Sequence, residues 1–344
     1  MSKTALALSG GVDSAVAGYL LREAGNELLA VTMITAAYQQ SDHFLAPAAR
    51  VATWLGIPHS VVDARAEFDK AVVAPFVAEY AAGRTPNPCV ACNQTIKWRL
   101  LLEWAVARGC SHLATGHYAR TVTDGRRWWI ERGKAGAKEQ SYFLARLEQE
   151  QIAATVFPLH AHTKREVTDV AEDLTIPHAA GESQEICFIR GSYAAFVEKR
   201  WPQPLPPGEI VDLDGRVMGR HRGLHHYTVG QRGGLGVAAP RRLYVVALQA
   251  AGNRVVVGPR EACHATRATV DNLSWMAIEE PVERFTCRVQ IRYRHRPVTA
   301  TIVPSGDRVD VVFDAPEAAV APGQTVVFYD RDRILGCGRL LSTA

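Results

Sequence analysis

The 344-residue chain is long enough for roughly two to three domains and a substantial core, which excludes a peptide-sized or fibrous protein. Its composition, 47% hydrophobic and 22% charged with a formal net charge of +4, excludes a disordered chain, and seven cysteines in this length argue against a disulfide framework. No apolar run approaches the roughly 18 residues of a membrane span, and no signal-peptide cleavage region is recognisable. We therefore expect a cytoplasmic protein without a membrane partner.

The first part of the chain alternates short apolar runs with helical patterns. Thr4–Leu8 is predicted as a strand that leads through a glycine loop into a helix over Ala15–Ala24. The pattern continues with predicted strands at Glu27–Met33, Ile57–Asp63 and Ser111–Gly116, and with predicted helices at Ala46–Leu55 and Lys97–Arg108. Strands separated by helices predict a parallel sheet with right-handed crossovers. We therefore predict an α/β catalytic domain over residues 1–198.

The pattern changes after Trp201, where four prolines and Gly208 mark a boundary. Short predicted strands then follow at Leu243–Leu248, Arg254–Val257, Phe285–Tyr293, Val309–Phe313 and Thr325–Tyr329. They predict one or two small barrels or sandwiches. We divide this part into a small β-rich central domain over residues 199–262 and, as the family resemblance given below implies, a C-terminal β-barrel over residues 263–344. The basic excess also lies here, with 20 Lys and Arg against 15 Asp and Glu in residues 196–344 and 19 against 20 before them. This suits a nucleic-acid partner, although a genome that favours arginine codons would give the same excess.

A glycine loop, SGGVDS at residues 9–14, lies between the first predicted strand and helix. Backbone N–H groups and the positive helix end at such a position can bind a phosphate. The loop lacks the Gly-Lys-Ser/Thr ending of the P-loop. It resembles instead the loop of the PP-loop ATP pyrophosphatases, which adenylate a carbonyl oxygen and release pyrophosphate. Asp13 could cap the helix or help to hold Mg²⁺.

Three cysteines have a sequence context that suggests chemistry. Pro86 and Pro88 predict an extended loop, and Cys89 and Cys92 form a CxxC just before a helix predicted to start near Gln94. A helix N-terminus stabilises a thiolate, so these thiols are expected to be reactive. Half of a structural zinc site is the alternative, although the chain has no second CxxC. Cys187, considered alone, suits a small buried residue.

A series of motifs connects these features to one family. In chain order they are SGGVDS (9–14), GRTPNP (83–88), Cys92-Asn93, ATGHYAR (114–120), KEQSYFL (138–144), SQEICFI (183–189), GLHHYTVGQR (223–232), IRYRH (291–295) and APGQ (321–324). Over nearly the whole chain they resemble the tRNA-specific 2-thiouridylases, which replace the 2-oxygen of the wobble uridine with sulfur. The resemblance implies an α/β PP-loop domain of the adenine nucleotide alpha hydrolase-like type with a parallel sheet, followed by small β-rich central and C-terminal β-barrel domains.

The resemblance also implies roles for individual residues. The ATP site would comprise Ala7, Leu8, Ser9, Gly10, Gly11, Val12, Asp13, Ser14, Met33 and Gly116. Contacts with tRNA, including the flipped uridine, would come from Asn87, Pro88, Cys89, His117, Lys138, Glu139, Gln140, Arg292, Tyr293 and Gln324. ATP with Mg²⁺ would adenylate the uracil 2-carbonyl oxygen, Cys187 would carry a persulfide, and Cys92 would release its sulfur. The partners would be the tRNA anticodon loop and a sulfur donor: a cysteine desulfurase, a sulfur carrier or inorganic sulfide.

One departure from the family changes the expected chemistry. Most members carry Asp at the position of Cys89, so this chain lacks that carboxylate. Cys89, Cys92 and Cys187 then form a three-thiolate set that could bind an iron-sulfur cluster, with one iron open for a sulfide ligand. The persulfide relay without a cluster is the alternative. Thr35–Ser41 is also shorter than the family's usual acidic insertion, and the remaining cysteines are expected to be structural or incidental: Cys110, Cys263, Cys287 and Cys337.

Four arginines in the C-terminal part share one parity. On a regular strand Arg288, Arg292, Arg294 and Arg296 would face one side, which suits an RNA backbone, although a solvated sheet face would have the same pattern. Two other classes of function compete with a tRNA thiolase. A non-catalytic sulfur or metal carrier would release no pyrophosphate, and an ATP-dependent amide-forming enzyme would accept a small molecule in place of tRNA.

Overall fold

The computed structural model describes residues 3–36, 42–179 and 186–343. Strands and helices alternate through the first part of the chain, as the sequence predicts. The strands are β1 (Lys3–Ala7), β2 (Glu27–Ile34), β3 (His59–Asp63), β4 (His112–Ala114), β5 (Ala119–Thr123), β6 (Trp128–Arg132) and β7 (Thr155–Val156). The helices are α1 (Val12–Glu23), α2 (Asp42–Leu55), α3 (Arg65–Phe68), α4 (Ala74–Ala81), α5 (Pro88–Cys92), α6 (Arg99–Val106), α7 (Gln149–Ala153), α8 (Lys164–Asp173) and α9 (Tyr193–Arg200).

Five of these strands form a parallel sheet in the order β3-β2-β1-β4-β7. Strands β2 and β3 are added on one side of β1. The chain then crosses over, and β4 pairs with the other side of β1. Ligands of open α/β sheets bind at such a switch point, beyond the carboxyl ends of the strands. The glycine loop, which follows β1, lies at this point. The predicted parallel-sheet domain is therefore confirmed.

Two helical runs in this domain contain π turns. Asp69–Val73 connects α3 to α4, and Asn93–Trp98 connects α5 to α6. The second run begins at Pro88. The expectation of a CxxC in a loop before a helix near Gln94 was therefore wrong, because Asn87 caps the helix and both cysteines lie within its first five residues. Proline is well tolerated at this first helical position.

The rest of the chain is mainly β-structure, as predicted. A four-stranded sheet has the order β10-β11-β8-β9 and comprises β8 (Gly208–Val211), β9 (Val217–His221), β10 (Tyr244–Gln249) and β11 (Arg254–Gly258). The following strands are β12 (His264–Trp275), β13 (Phe285–Gln290), β14 (Val298–Ser305), β15 (Arg308–Ala318), β16 (Thr325–Asp330) and β17 (Arg333–Thr343). Pairing of β12 with β17 closes these six into a barrel.

The β5–β6 hairpin joins the first domain to the barrel. It pairs with β17 through Glu131 and Arg333, so the barrel sheet continues into a segment of the first domain. One apolar cluster accordingly runs from Trp98 and Tyr142 to Phe328 and Leu340. None of the described helices is long and apolar enough to cross a membrane.

Candidate active site

The glycine loop forms an open cradle between β1 and α1. Gly11 is the N-cap of α1 and provides no side chain to bond the first N–H groups of the helix. Ser9 and Ser14 brace the loop from within, with their hydroxyls 3.1 Å apart. Gly10 has φ +79°, and a Cβ there would lie 2.7 Å from the backbone nitrogen of Ala48. The loop therefore suits a phosphate, with uncapped donors and the positive helix end directed at the same place.

Asp13 is held by two groups from distant parts of the chain. Tyr118 donates its hydroxyl to Asp13 Oδ1 at 2.6 Å, and Lys164 Nζ lies 2.7 Å from the same oxygen. Gly116 allows the end of β4 to approach this loop, because a Cβ there would lie 2.7 Å from Ser14 N. Asp13 thus positions a phenol and an ammonium group beside the cradle, and both contacts use the same carboxylate oxygen, Oδ1.

Cys89 and Cys92 occupy one face of α5, since they are three residues apart in a helix. Asn87 accepts a hydrogen bond from Cys89 N at 3.2 Å. The loop before the helix is tied to the barrel, where Thr85 N donates to Pro322 O at 2.8 Å and Gln324 Nε2 donates to Thr85 O at 2.7 Å. The barrel therefore positions the cysteine helix.

The π turn after Cys92 determines the position of Lys97. In an α-helix, residues five apart point about 140° away from each other. A π turn closes from residue i to i+5, so it brings Lys97 back above Cys92. Lys97 accordingly lies within electrostatic range of Cys89, Cys92 and Cys187. Sequence reasoning missed this lysine, because a π turn has no periodicity that distinguishes it from an α-helix over six residues.

Burial governs the protonation of the three thiols. Loss of surrounding water raises the pKa of buried Cys92 to about 12 and also raises the pKa of half-buried Cys89 and of Cys187, although Cys187 is exposed at the surface, while Lys97 lowers all three. The expectation of a stabilised thiolate was therefore wrong for the protein without ligands. The positive helix end is outweighed by the low-polarity cluster around Cys92, which includes Phe68, Ile96 and Phe188. Lys97 is the nearby charge that favours the thiolates.

The spacing of the sulfurs distinguishes between metal centres. Among the described residues, the Sγ atoms of Cys89, Cys92 and Cys187 do not form a group within 4.8 Å of one another. One zinc ion would need that closeness. An iron-sulfur cluster binds each cysteine through a different iron and so accepts more widely spaced sulfurs. The cysteines also interact electrostatically with one another. The three sulfurs are therefore not arranged for a single zinc ion.

Replacing Lys97 tests the electrostatics of this group. In Lys97→Met we expect iodoacetamide to alkylate Cys187 roughly three- to tenfold more slowly near neutral pH, because a thiolate loses its nearby cation. Peptide mass spectrometry would follow the rate at Cys187. Lys70→Met is the matched control, since Lys70 is an exposed lysine on the other π turn. Equal rates in the two variants would contradict the assignment.

His117 lies between the nucleotide loop and the π turn that follows the cysteine helix. It follows Gly116, and its ring lies 5.5 Å from the Trp98 ring, measured between centroids. Burial, with a smaller effect from Lys97, lowers the pKa of His117 to about 3. The ring is therefore neutral at physiological pH and can form hydrogen bonds but cannot act as an acid. Thr115 Oγ1 lies 2.8 Å from His117 Nδ1, which leaves Nε2 for another partner.

Comparison with known proteins gives matches along the whole chain. Residues 2–191 match the model described as tRNA methyl transferase HUP domain, residues 194–259 its PRC-barrel domain, and residues 265–340 an aminomethyltransferase beta-barrel domain. A protein of Geotalea uraniireducens named tRNA-specific 2-thiouridylase MnmA is 44% identical and covers 98% of this chain and 94% of its own. A protein of the same name from Syntrophotalea carbinolica is 45% identical and covers 97% of both.

This chain belongs to the tRNA-specific 2-thiouridylase family. A solved structure titled U34-tRNA thiolase NcsA from Methanococcus maripaludis with its [4Fe-4S] cluster is also similar, at 21% identity and a TM-score of 0.38. It covers 54% of this chain and 62% of its own. A similarity this distant says nothing about a cluster in the present chain.

Several residues that the resemblance assigns to tRNA have partners within this chain. Glu139 accepts a very short hydrogen bond from Ser141 N, and burial raises the pKa of its carboxyl. Gln140 Oε1 accepts from Tyr118 N at 3.2 Å. Glu139, Gln140 and Gln324 each bind a backbone group near the site. The side chain of Lys138 is exposed. Tyr293 packs on Phe143 with ring centroids 4.3 Å apart. Their contacts with tRNA stay predictions.

The predicted row of arginines on one strand was wrong. Strand β13 ends at Gln290, whose side chain donates to the carbonyls of Arg292 and Tyr293 and so turns the chain. Arg292 is also occupied, since its Nη1 donates to Ala318 O at 3.1 Å and to Ala319 O at 3.3 Å. Arg294 and Arg296 are exposed on the resulting loop. These arginines therefore place positive charge on a surface loop and not along one face of a strand.

The loop predicts a measurable effect on tRNA binding. Because Arg294 and Arg296 are exposed, Arg294→Gln/Arg296→Gln should weaken tRNA binding and reduce the slope of log affinity against log salt by about 0.7 for each phosphate that is no longer neutralised. Filter binding over a salt series measures both. The control is Arg50→Gln/Arg165→Gln, which removes equal charge from α2 and α8. The same slope in both double variants would contradict the assignment.

Proposed function

We propose that the chain catalyses ATP-dependent replacement of the 2-oxygen of the wobble uridine in tRNA anticodons by sulfur. The observation that supports this proposal is that the phosphate-binding loop and the cysteine site lie near the same end of the parallel sheet. Met33, on β2, packs into the cluster that contains Cys92. His117 follows Gly116 and packs on Trp98, at the end of the π turn that continues the cysteine helix. A nucleotide bound in the loop would therefore lie next to the sulfur chemistry.

The first step would activate the base. The uracil 2-carbonyl oxygen attacks the α-phosphorus of ATP, the bond to the β-phosphate oxygen breaks, and pyrophosphate leaves. Residues 7–14 with Met33 and Gly116 would hold the nucleotide, Lys164 would offset phosphate charge, and Mg²⁺ would bind at the phosphates. Uridine then carries adenylate at C2, which is a good leaving group.

The second step would deliver sulfur. In the relay, Cys92 thiolate attacks Sγ of a Cys187 persulfide, a disulfide forms, and hydrosulfide leaves to attack C2 and expel AMP. An external thiol must then reduce the disulfide. Alternatively Cys89, Cys92 and Cys187 hold an iron-sulfur cluster, which would supply a sulfide bound to its open iron. We favour the cluster, since the third thiol at position 89 has no task in a two-thiol relay.

Iron and acid-labile sulfide, measured on protein purified without oxygen, separate the two sulfur routes. The cluster predicts about four irons per chain, a brown colour and loss of both in Cys89→Ala. Cys263→Ala is the control, because Cys263 is buried beside β10 and not in the site. A colourless, iron-free preparation that still thiolates tRNA would rule out the cluster and leave the relay.

Two of the family models are named for methyl transfer to tRNA, whereas the relatives are named for thiolation of uridine in tRNA. Uracil adenylation predicts pyrophosphate release that depends on tRNA, whereas methyl transfer does not consume ATP in this way. The phosphate cradle favours adenylation. We place the reaction in the cytoplasm, with sulfur supplied by a cysteine desulfurase, a sulfur carrier or inorganic sulfide.

A further inference from the structure

Three potential metal ligands converge where α9 meets the central sheet domain. Glu198 lies on α9, and His225 and His226 lie on the 3₁₀ turn Leu224–His226. The Nε2 atoms of both histidines are 3.0 Å from the same oxygen, Glu198 Oε1. In the described part of the chain, these three residues form the group of at least three His, Cys, Asp or Glu whose ligand atoms all lie within 4.8 Å of one another.

The distances are close to those of a zinc site. Zinc bonds of about 2.0–2.2 Å in a tetrahedron place two ligand atoms about 3.3 Å apart. Two of the ligand pairs here are only a few tenths of an ångström closer, so a small outward movement of Glu198 would admit an ion. The Glu198 side chain is 51% exposed, which gives it freedom to move and gives the ion access to a solvent ligand.

The histidines are built into the fold in a form that can bind metal. The His225 side chain is 1% exposed and lies against Gly223, where any Cβ would overlap its ring. The two imidazole rings are 4.2 Å apart between centroids, so one cannot move away without the other repacking. The Nε2 atoms of both rings approach the same carboxylate oxygen, so the two imidazoles present their ligand nitrogens to one place. A neutral imidazole is the form that ligates a metal.

We propose that Glu198, His225 and His226 bind a divalent transition-metal ion, best matched by zinc, that joins α9 to the central domain. Two imidazoles, one carboxylate and a water are a usual zinc set, whereas Mg²⁺ and Ca²⁺ prefer oxygen ligands throughout. The ion would fasten two segments that are otherwise linked here by hydrogen bonds through one carboxylate oxygen. The site is separate from the three cysteines of the reaction.

Without metal, the same three side chains would form a hydrogen-bonded cluster in which both rings donate to Glu198. In that state the buried Nδ1 of His225 has no hydrogen-bond partner among the described residues, so no acceptor or donor there fixes the tautomer. The ring can therefore carry its proton on Nδ1, which leaves the lone pair of Nε2 available to a metal.

Cobalt(II) titration of the chelator-treated, full-length protein tests the proposal without ATP or tRNA. We expect visible bands of tetrahedral Co²⁺ with nitrogen and oxygen ligands, without the thiolate charge-transfer bands that the cysteines would give. The affinity should fall at least tenfold in Glu198→Gln and in His226→Asn. Zinc should displace the cobalt and raise the Tm of the unchanged protein more than that of either variant.

His264→Asn is the matched control, since it removes an exposed histidine away from the cluster and should bind cobalt like the unchanged protein. Glu198 and His226 are both accessible to solvent, so each variant is expected to fold, and melting without metal checks this. Equal cobalt affinity in all four proteins, or thiolate bands alone, would overturn the proposal.

Discussion

Cys92→Ser is expected to abolish sulfur transfer, with a loss of at least about 10³-fold, and to leave tRNA-dependent pyrophosphate release within about twofold. Both proposed sulfur routes use this thiol, as a nucleophile or as an iron ligand, and a buried serine can replace neither function. Base adenylation requires the nucleotide loop and not the thiol. Thiolated tRNA and pyrophosphate would be measured in the same reaction, so the two steps are read separately.

Cys110→Ser provides the control for the cost of a buried hydroxyl. Cys110 is 5% exposed and Cys92 is 6% exposed, but Cys110 lies beside Lys3 and Glu27 at the other end of the sheet. Cys92→Ser and Cys110→Ser should lose similar amounts of stability, because each places a hydroxyl at a buried position. Only Cys92→Ser is expected to lose sulfur transfer. If Cys92→Ser still thiolated tRNA at a tenth of the normal rate, neither sulfur route would hold.

Gly10→Ala is expected to raise the KM for ATP more than tenfold and to slow pyrophosphate release about 10²-fold. Alanine at φ +79° costs about 1–2 kcal/mol by itself. The new Cβ would also lie 2.7 Å from Ala48 N and 2.8 Å from Pro47 Cβ, so the loop must move away from α2. A displaced cradle no longer presents its N–H groups to the phosphates.

Gly25→Ala separates backbone strain from displacement of the loop. Gly25 has the same φ of +79°, and its added Cβ would meet nothing within 4 Å. The two variants should therefore lose stability by comparable amounts from strain, while Gly25→Ala keeps a normal dependence on ATP. A normal KM for ATP in Gly10→Ala would show that the loop does not bind the nucleotide.

Sequence reasoning succeeded where local patterns determine structure. The strand, glycine loop and helix of residues 3–23 follow from an apolar run, two glycines and a helical pattern. The barrel strands follow from short β-branched runs such as Val309–Phe313. The same reasoning failed for the turn after Gln290, because side-chain hydrogen bonds to nearby carbonyls end a strand without changing its alternation.

The electrostatics of the site depend on contacts between distant residues, which no local pattern encodes. Lys164 meets Asp13 across 151 positions in the sequence. The pKa of Cys92 depends on burial among apolar residues from other segments, and Lys97 reaches the cysteines only through a π turn. The residues 183–185 of the SQEICFI motif lie outside the described part of the chain, as do most of Thr35–Ser41, so those expectations stay predictions.

The most direct test of the proposed reaction is nucleoside analysis of a tRNA transcript incubated with the protein, MgATP, sulfide and a thiol reductant. Digestion and mass spectrometry would identify the modified base and its position, and AMP and pyrophosphate would be measured in parallel. We predict 2-thiouridine at the wobble position, with one AMP and one pyrophosphate formed for each sulfur incorporated. Pyrophosphate release without tRNA, or an unmodified wobble uridine after full turnover of ATP, would contradict the assigned function.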